Sequence, residues 1–313
     1  MPVISIVVPC YNEQESLPLF YQRVEEILQE FNRHQATYQW EYWFVNDGST
    51  DDSLKQMQYL HATDPENVHY VSFSRNFGKE AALLAGLKQA QGDYVAVMDV
   101  DLQDPPELLP TMIKTLNETD NDVVATKRSD RAGEPWLRSM LSQAFYHVIN
   151  FISQVKIVPG ARDYRLMRRN VVQAIIDMPE YNRFSKGIFS WVGFKTTYLR
   201  FPNQDRVAGH THWSMRQLFS YSMEGIMDYS EVPLAIASWL GGFSFVAAIL
   251  GMLWIVIRAL LFGNPTAGWP SLVAIILMLG GLQLLCLGIV GKYIGRIYLE
   301  TKHRPQFLIK EKR

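Results

Sequence analysis

A chain of 313 residues has room for one catalytic domain of ordinary size and something smaller. Lys and Arg total 30 against 31 Asp and Glu, so net charge gives no electrostatic ground for a nucleic-acid partner. Only two cysteines occur, Cys10 in an apolar run and Cys286 in a lipid-like one, which argues against a disulfide framework.

From residue 3 to about 127, short apolar runs alternate with amphipathic stretches. The pattern predicts strands at Ile4–Pro9, Tyr42–Asn46, His69–Ser74, Tyr94–Asp99 and Asp122–Thr126. Helices are predicted near 14–31, 51–62, 78–90 and 107–118. Such alternation implies an α/β fold with a mostly parallel sheet and right-handed crossovers. The first strand begins almost at once, without the basic-then-apolar pattern of a signal peptide, so the bulk of the chain is expected in the cytoplasm. Further on, 136–155 reads as an amphipathic helix packed on the domain or lying at a bilayer surface, and 214–230 as a second one that lies along the membrane and leads into the first span.

No Asp, Glu, Lys, Arg or His occurs from Val232 to Ile257, nor from Ala259 to Gly291. A span needs roughly 20 apolar residues, and the Gly- and Pro-containing break at 263–270 divides the region into a hairpin. Its helices are predicted near 234–261 and 271–295. The chain thus divides into a catalytic domain (1–213), a juxtamembrane helix (214–231), two membrane helices (232–296) and a basic tail (297–313). Lys292, Arg296, Lys302, Arg304, Lys310, Lys312 and Arg313 follow the second span, which by the positive-inside rule puts both termini in the cytoplasm.

In parallel sheets ligands bind beyond the carboxyl ends of the strands. Polar clusters stand there after four successive strands. The first is Pro9-Cys10-Tyr11-Asn12-Glu13 and the second Asn46-Asp47-Gly48-Ser49-Thr50-Asp51. The third is Ser74-Arg75-Asn76-Phe77-Gly78-Lys79-Glu80, and the fourth Asp99-Val100-Asp101-Leu102-Gln103-Asp104-Pro105. If the backbone stays extended past the fourth strand, Asp99, Asp101 and Gln103 project from one face. Three oxygen ligands suit a hard divalent cation, Mg²⁺ or Mn²⁺.

In order and spacing these motifs resemble an inverting family-2 glycosyltransferase with a GT-A fold. The third cluster and the C-terminal hairpin narrow the resemblance to the polyprenyl-phosphate glycosyltransferases, nearest the bactoprenol glucosyltransferase branch and related to the dolichol-phosphate mannose synthases. It covers residue 3 to about 309.

The resemblance implies transfer of a sugar from a nucleotide sugar to polyprenyl phosphate at the inner membrane. UDP-glucose is the first donor, with UDP-N-acetylglucosamine or GDP-mannose as alternatives. Pro9, Tyr11, Asn12, Glu13 and Asp47 match positions that hold the nucleotide. Asp99, Asp101 and Gln103 match the metal site, with Asp101 contacting metal and diphosphate. Lys79 either approaches the diphosphate or is a surface lysine. Arg128, Arg138 and Ser142 match a clamp on the lipid's phosphate, and a guanidinium pair suits that task.

Asp163, in Gly160-Ala161-Arg162-Asp163-Tyr164-Arg165-Leu166-Met167, matches a general base or sugar-orienting carboxylate, unless Arg165 holds it in a structural salt bridge. The loop containing Arg206 and His212 matches one that closes over the donor. Relatives carry Lys where this chain has His212, whose charge at neutral pH is only partial. Relatives also assemble as tetramers. A processive polysaccharide synthase, or an inactive nucleotide-binding membrane module, are the competing readings; the first usually carries more spans and a Gln-x-x-Arg-Trp motif, which is lacking here.

Overall fold

The computed structural model describes residues 1–34, 38–129, 147, 149–151, 156–178, 180–202, 230, 232–262 and 268–313. The expected helices at 136–155 and 214–230 and the loop 204–213 lie outside these residues, apart from residues 147, 149–151 and 230.

The N-terminal apolar run forms β1 (Val3–Cys10), followed in alternation by α1 (Ser16–His34), β2 (Gln39–Asn46), α2 (Ser53–Thr63), β3 (Val68–Phe73), α3 (Lys79–Gln89) and β4 (Tyr94–Val97). A single 3-10 turn, Pro106–Leu108, leads into α4 (Leu109–Glu118) and β5 (Val123–Arg128). Then come β6 (Ala161–Arg168), α5 (Arg169–Ile176), α6 (Ser185–Trp191) and β7 (Thr196–Phe201). Two long helices, α7 (Val232–Phe262) and α8 (Trp269–Thr301), precede a last strand, β8 (Ile309–Lys312).

The strands make one sheet in the order β7-β5-β6-β4-β1-β2-β3-β8. β4, β1, β2 and β3 run parallel, as the alternation predicts. β6 runs antiparallel between β4 and β5, and β8 caps the edge antiparallel to β3. Helices cover both faces, and the side chains of β1 alternate between them. Ile4, Ile6 and Val8 join the layer under α1 and α4, while Val7 joins the layer under α3 and α5. Both layers are closely buried: Phe44 is fully buried, contributing about 2–3 kcal/mol. Small residues let α3 lie close to the sheet. A Cβ on Gly86 would stand 2.3 Å from a Val7 methyl, so any larger residue pushes the helix off β1.

Pairing aligns the strand ends. Cys10 stands opposite Asn46, and Asn46 opposite Ser72. β4 stops sooner, at Val97, with the Met98 amide donating to the Val7 carbonyl (3.0 Å). The four polar clusters therefore leave the sheet side by side.

α7 and α8 are long and apolar enough to cross a membrane. They are not core helices: Trp239, Phe243 and Leu284 are each at least 70% exposed. The tyrosine hydroxyl of Tyr293 donates to the Ser230 carbonyl (2.9 Å), tying α8 to the approach of α7. The residues read as a basic tail carry the end of α8 and all of β8. Phe307 stacks on Phe73 (5.0 Å between centroids), and the Tyr181 amide donates to the Glu300 carboxylate (2.9 Å).

Candidate active site

The loops after β1 and β2 are laced together. The Asn12 amide donates to Ser49 Oγ (3.0 Å), and the Thr50 amide donates back to Asn12 Oδ1 (2.8 Å). The Glu13 amide donates to Ser53 Oγ (2.8 Å), and the Glu13 carboxylate accepts from the Ser16 hydroxyl (2.9 Å). Asn12 takes a left-handed conformation (φ 56°), which asparagine tolerates. Gly48 (φ 65°) has no substitute, because a Cβ there would lie 2.3 Å from the Arg75 carbonyl carbon. Pro9, Tyr11, Asn12 and Glu13 thus line the β1 end, half-buried.

Asp47, expected at the nucleotide, points inward. It is 3% exposed, and its carboxylate accepts from the Phe77 amide (2.7 Å) and the Gly78 amide (2.9 Å). Burial pushes this carboxyl up to about 6, against the pull of those two amides and of Arg75. Asp47 here fixes the loop that presents Lys79.

Past β4 the backbone does not stay extended. Residues 100–102 turn, and Leu102 adopts φ 56°, so the expected alternation of Asp99, Asp101 and Gln103 on one face fails. The turn is held by Asp101 Oδ1, which accepts from the Gln103 amide (3.1 Å). The carboxylates still gather, by folding back: Asp99 and Asp101 both act electrostatically on Asp104. Gln103 Oε1 accepts from Arg128 Nη2 (3.4 Å), joining a residue expected at the metal to one expected at the acceptor phosphate.

Lys79 settles at the centre. Its Nζ lies 2.7 Å from Asp99 Oδ1 and 2.7 Å from Asp163 Oδ2, so it is not a solvated surface lysine. Burial works against its charge, but Asp163 and Asp99 outweigh that and hold it protonated. Burial likewise opposes charge on Asp163, and Lys79, Lys186 and Arg165 together hold that carboxyl well below the usual carboxylate range. The hydrogen bonds of Arg165 go elsewhere, to the Asp163 and Arg162 carbonyls (3.2 and 2.9 Å), with its guanidinium 3.4 Å from the Phe189 ring centroid, while its charge still favours the ionised Asp163 carboxylate.

Two contributors stand in the quoted motifs without an expected role. Arg162 Nε donates to Asp104 Oδ1 (2.7 Å), and its Nη2 lies 3.9 Å from Asp99. Glu80 accepts from the Ser185 amide (3.0 Å) and hydroxyl, anchoring the start of α6 beside the site. Both pairs join residues more than fifty positions apart, beyond any local pattern. Arg138, Ser142, Arg206 and His212 lie outside the described residues.

Among the described residues no three His, Cys, Asp or Glu form a cage around one point. A hard cation of the Mg²⁺ type takes one or two carboxylates and completes its shell with water and substrate phosphate. Asp99, Asp101 and the Gln103 amide oxygen are oxygen donors of the kind such a cation takes. Beside them, Asp104 Oδ2 is buried without a hydrogen-bond partner among the described residues, a local excess of acceptors that a cation or donor suits.

Residues 5–176 match the model of glycosyl transferase family 2. The bactoprenol glucosyl transferase of Shigella phage SfV is 44% identical over 99% of this chain and 99% of its own length. The prophage bactoprenol glucosyl transferase homolog of Escherichia coli (strain K12) is 42% identical over 98% of each. Among solved structures, glucosyl-3-phosphoglycerate synthase from Mycobacterium tuberculosis, crystallised with Mn²⁺ and UDP-glucose, covers 72% of this chain and 77% of its own, at 18% identity and TM-score 0.43.

Proposed function

Since the chain belongs to glycosyl transferase family 2, we propose that it transfers glucose from UDP-glucose to a polyprenyl phosphate, with inversion at the anomeric carbon. The observation that carries this reading is end-to-end identity of 44% with a bactoprenol glucosyl transferase, in a chain whose strand-end crevice is followed by two membrane-length helices. We assign the β1 and β2 ends to the nucleotide. Arg128, Arg138 and Ser142 are assigned to the acceptor's phosphate, and both termini to the cytoplasm. The basic residues after the second span support that orientation.

An oxygen of the lipid phosphate forms the new bond to the anomeric carbon as the bond to UDP breaks on the opposite face. UDP leaves with the electron pair. A phosphate monoester is already ionised at neutral pH, its second pKa being about 6, so no base has to take a proton from it. Asp163 agrees with that: ion-paired to Lys79 and held below the carboxylate range, it is a poor proton acceptor near pH 7. Its task is to accept a hydrogen bond from a sugar hydroxyl and fix the ring for in-line attack. Lys79 keeps Asp163 ionised and places positive charge at the crevice floor. A Mg²⁺ or Mn²⁺ held by Asp99, Asp101 and Gln103 would neutralise charge on the departing diphosphate.

The test presents the purified full chain with undecaprenyl phosphate and, separately, UDP-glucose, UDP-N-acetylglucosamine and GDP-mannose. Nucleotide release and the mass of the glycolipid are read. UDP release that depends on both UDP-glucose and the lipid is expected. Release indifferent to the lipid, or a mannosyl product alone, refutes the assignment.

A further inference from the structure

Arg162 stands where two parts of the crevice meet. Ladder pairing between β4 and β6 stops at Val97 and Arg165. Beyond that pair, side chains join the two segments. Arg162 Nε donates to Asp104 Oδ1 (2.7 Å), and its Nη2 lies 3.9 Å from Asp99 Oδ2. Lys79 bridges Asp99 Oδ1 and Asp163 Oδ2, at 2.7 Å each. Charges of opposite sign thus alternate along one run, Asp163, Lys79, Asp99, Arg162 and Asp104, from the carboxylate assigned to the sugar to the far end of the turn after β4.

The far end is the fixed one. Val100 and Asp104 are 3% and 1% exposed, and Pro105 and Pro106 after them are buried. A guanidinium is planar and rigid, so anchoring its Nε on a buried carboxylate also fixes where its other nitrogens lie. Nη2 is thereby set on the Oδ2 side of Asp99, while Lys79 holds Oδ1. Arg162 and Asp99 are themselves 23% and 19% exposed, so water screens the pair only in part.

Two effects of Arg162 on a divalent cation have opposite signs. Its charge repels one. Its hold on the turn and on the Asp99 carboxylate favours one, because ligands fixed in place do not have to be ordered on binding. We propose that Arg162 is a positioning residue for the divalent cation, acting through Asp104 and Asp99, and that this hold outweighs the repulsion. This role rests on the assignment of Mg²⁺ or Mn²⁺ to Asp99, Asp101 and Gln103, and is independent of which sugar or lipid is used.

The test titrates the full chain in neutral detergent with Mn²⁺, without nucleotide, and follows the free ion by its paramagnetic resonance signal. Arg162→Gln is expected to weaken Mn²⁺ binding about tenfold, the usual scale for a residue that orients a metal ligand. Asp104→Ala removes the anchor and is expected to weaken it as well. The double variant then loses no more than the larger single loss, since both substitutions break one bond. Arg162→Lys keeps the charge without the planar fork and is expected to bind between wild type and Arg162→Gln. Thermal midpoints of the metal-free variants verify folding, and Arg162→Lys carries the test where another variant unfolds. Tighter Mn²⁺ binding by Arg162→Gln overturns the proposal, because charge then dominates. A lowered midpoint with wild-type Mn²⁺ affinity overturns it too, since the bond is then structural alone, and so do losses that add in the double variant. A wild-type chain that takes up no Mn²⁺ refutes the metal site itself and this role with it.

Discussion

Replacing Lys79 by Met keeps the length of the side chain and removes the ammonium between Asp99 and Asp163. Both contacts are 2.7 Å, with the carboxylates 19% and 17% exposed and Lys79 itself 37% exposed. A fully exposed pair contributes about 0–1 kcal/mol, whereas removing one partner of a fully buried pair costs about 3–5 kcal/mol. With this partial exposure the loss is set between them, at about 2 kcal/mol. For a domain of this size that is a fall of about 4–8 °C in melting temperature. The pH dependence follows from the two partners. Asp163 is held below the carboxylate range, so its contribution is present above its unfolded value, about 4, and lost as pH falls. Lys79 is held protonated, so its contribution is present below about 10.5 and lost as pH rises. The gap between wild type and Lys79→Met is therefore full from about pH 5 to 9 and begins to narrow below about pH 4. Melting of the full chain in detergent at pH 7 and pH 3.5 measures it. Equal melting at pH 7, or a gap that persists unchanged at pH 3.5, refutes the ion triad as described.

Three other outcomes follow from the same geometry. Gly48→Ala combines a left-handed φ with a Cβ 2.3 Å from backbone and is expected to cost about 3 kcal/mol or more, whereas Gly78→Ala, with nothing within 4 Å, bears the backbone strain alone, about 1–2 kcal/mol. Comparing their melting temperatures checks the difference. At Asp47 the sign is opposite to that at Asp163: burial raises the carboxyl to about 6, so stability is full below about pH 4 and falls by up to about 3 kcal/mol as pH rises to about 6. Chemical denaturation at pH 4.5 and 7 reads that slope, and Asp47→Asn is expected to abolish it. Asp101→Ala is expected to weaken Mn²⁺ binding at least tenfold, about 1.4 kcal/mol, with transfer lost in parallel; undiminished titration of Mn²⁺ and full transfer together refute the assigned metal site.

The parallel half of the sheet was legible because its strands are buried on both faces and so read as unbroken apolar runs, such as Ile4–Val8. Their polar ends then had to lie together, and the pairing of Cys10 with Asn46 and Asn46 with Ser72 does that. The geometry beyond β4 was not legible. Leu102 carries no turn signature, yet its left-handed φ converts an extended segment into a fold-back. Lys79 was undecidable from sequence because its partners are 20 and 84 residues away, and Arg162 meets Asp104 across 58. The last strand was hidden differently. Ile309-Lys310-Glu311-Lys312 looks solvated, and only the open edge of β3 makes it a strand.

That last strand changes how the crevice relates to the membrane helices. A domain joined to a hairpin through a single linker swings about it. Here the base of α8 returns to the sheet edge and is held there by several independent contacts. β8 pairs with β3, Phe307 stacks on Phe73, and Gln306 donates to the Glu180 carbonyl. Glu300 holds the Tyr181 and Asn182 amides just ahead of α6, whose first residue, Ser185, is bonded to Glu80, the neighbour of Lys79. Each contact contributes only about 1 kcal/mol. A swing of the domain about α8 has to break them together, so they act as one restraint. The route from the helix base to the Asp99–Lys79–Asp163 triad is thereby a run of directional bonds, and it fixes the position of the crevice relative to α8.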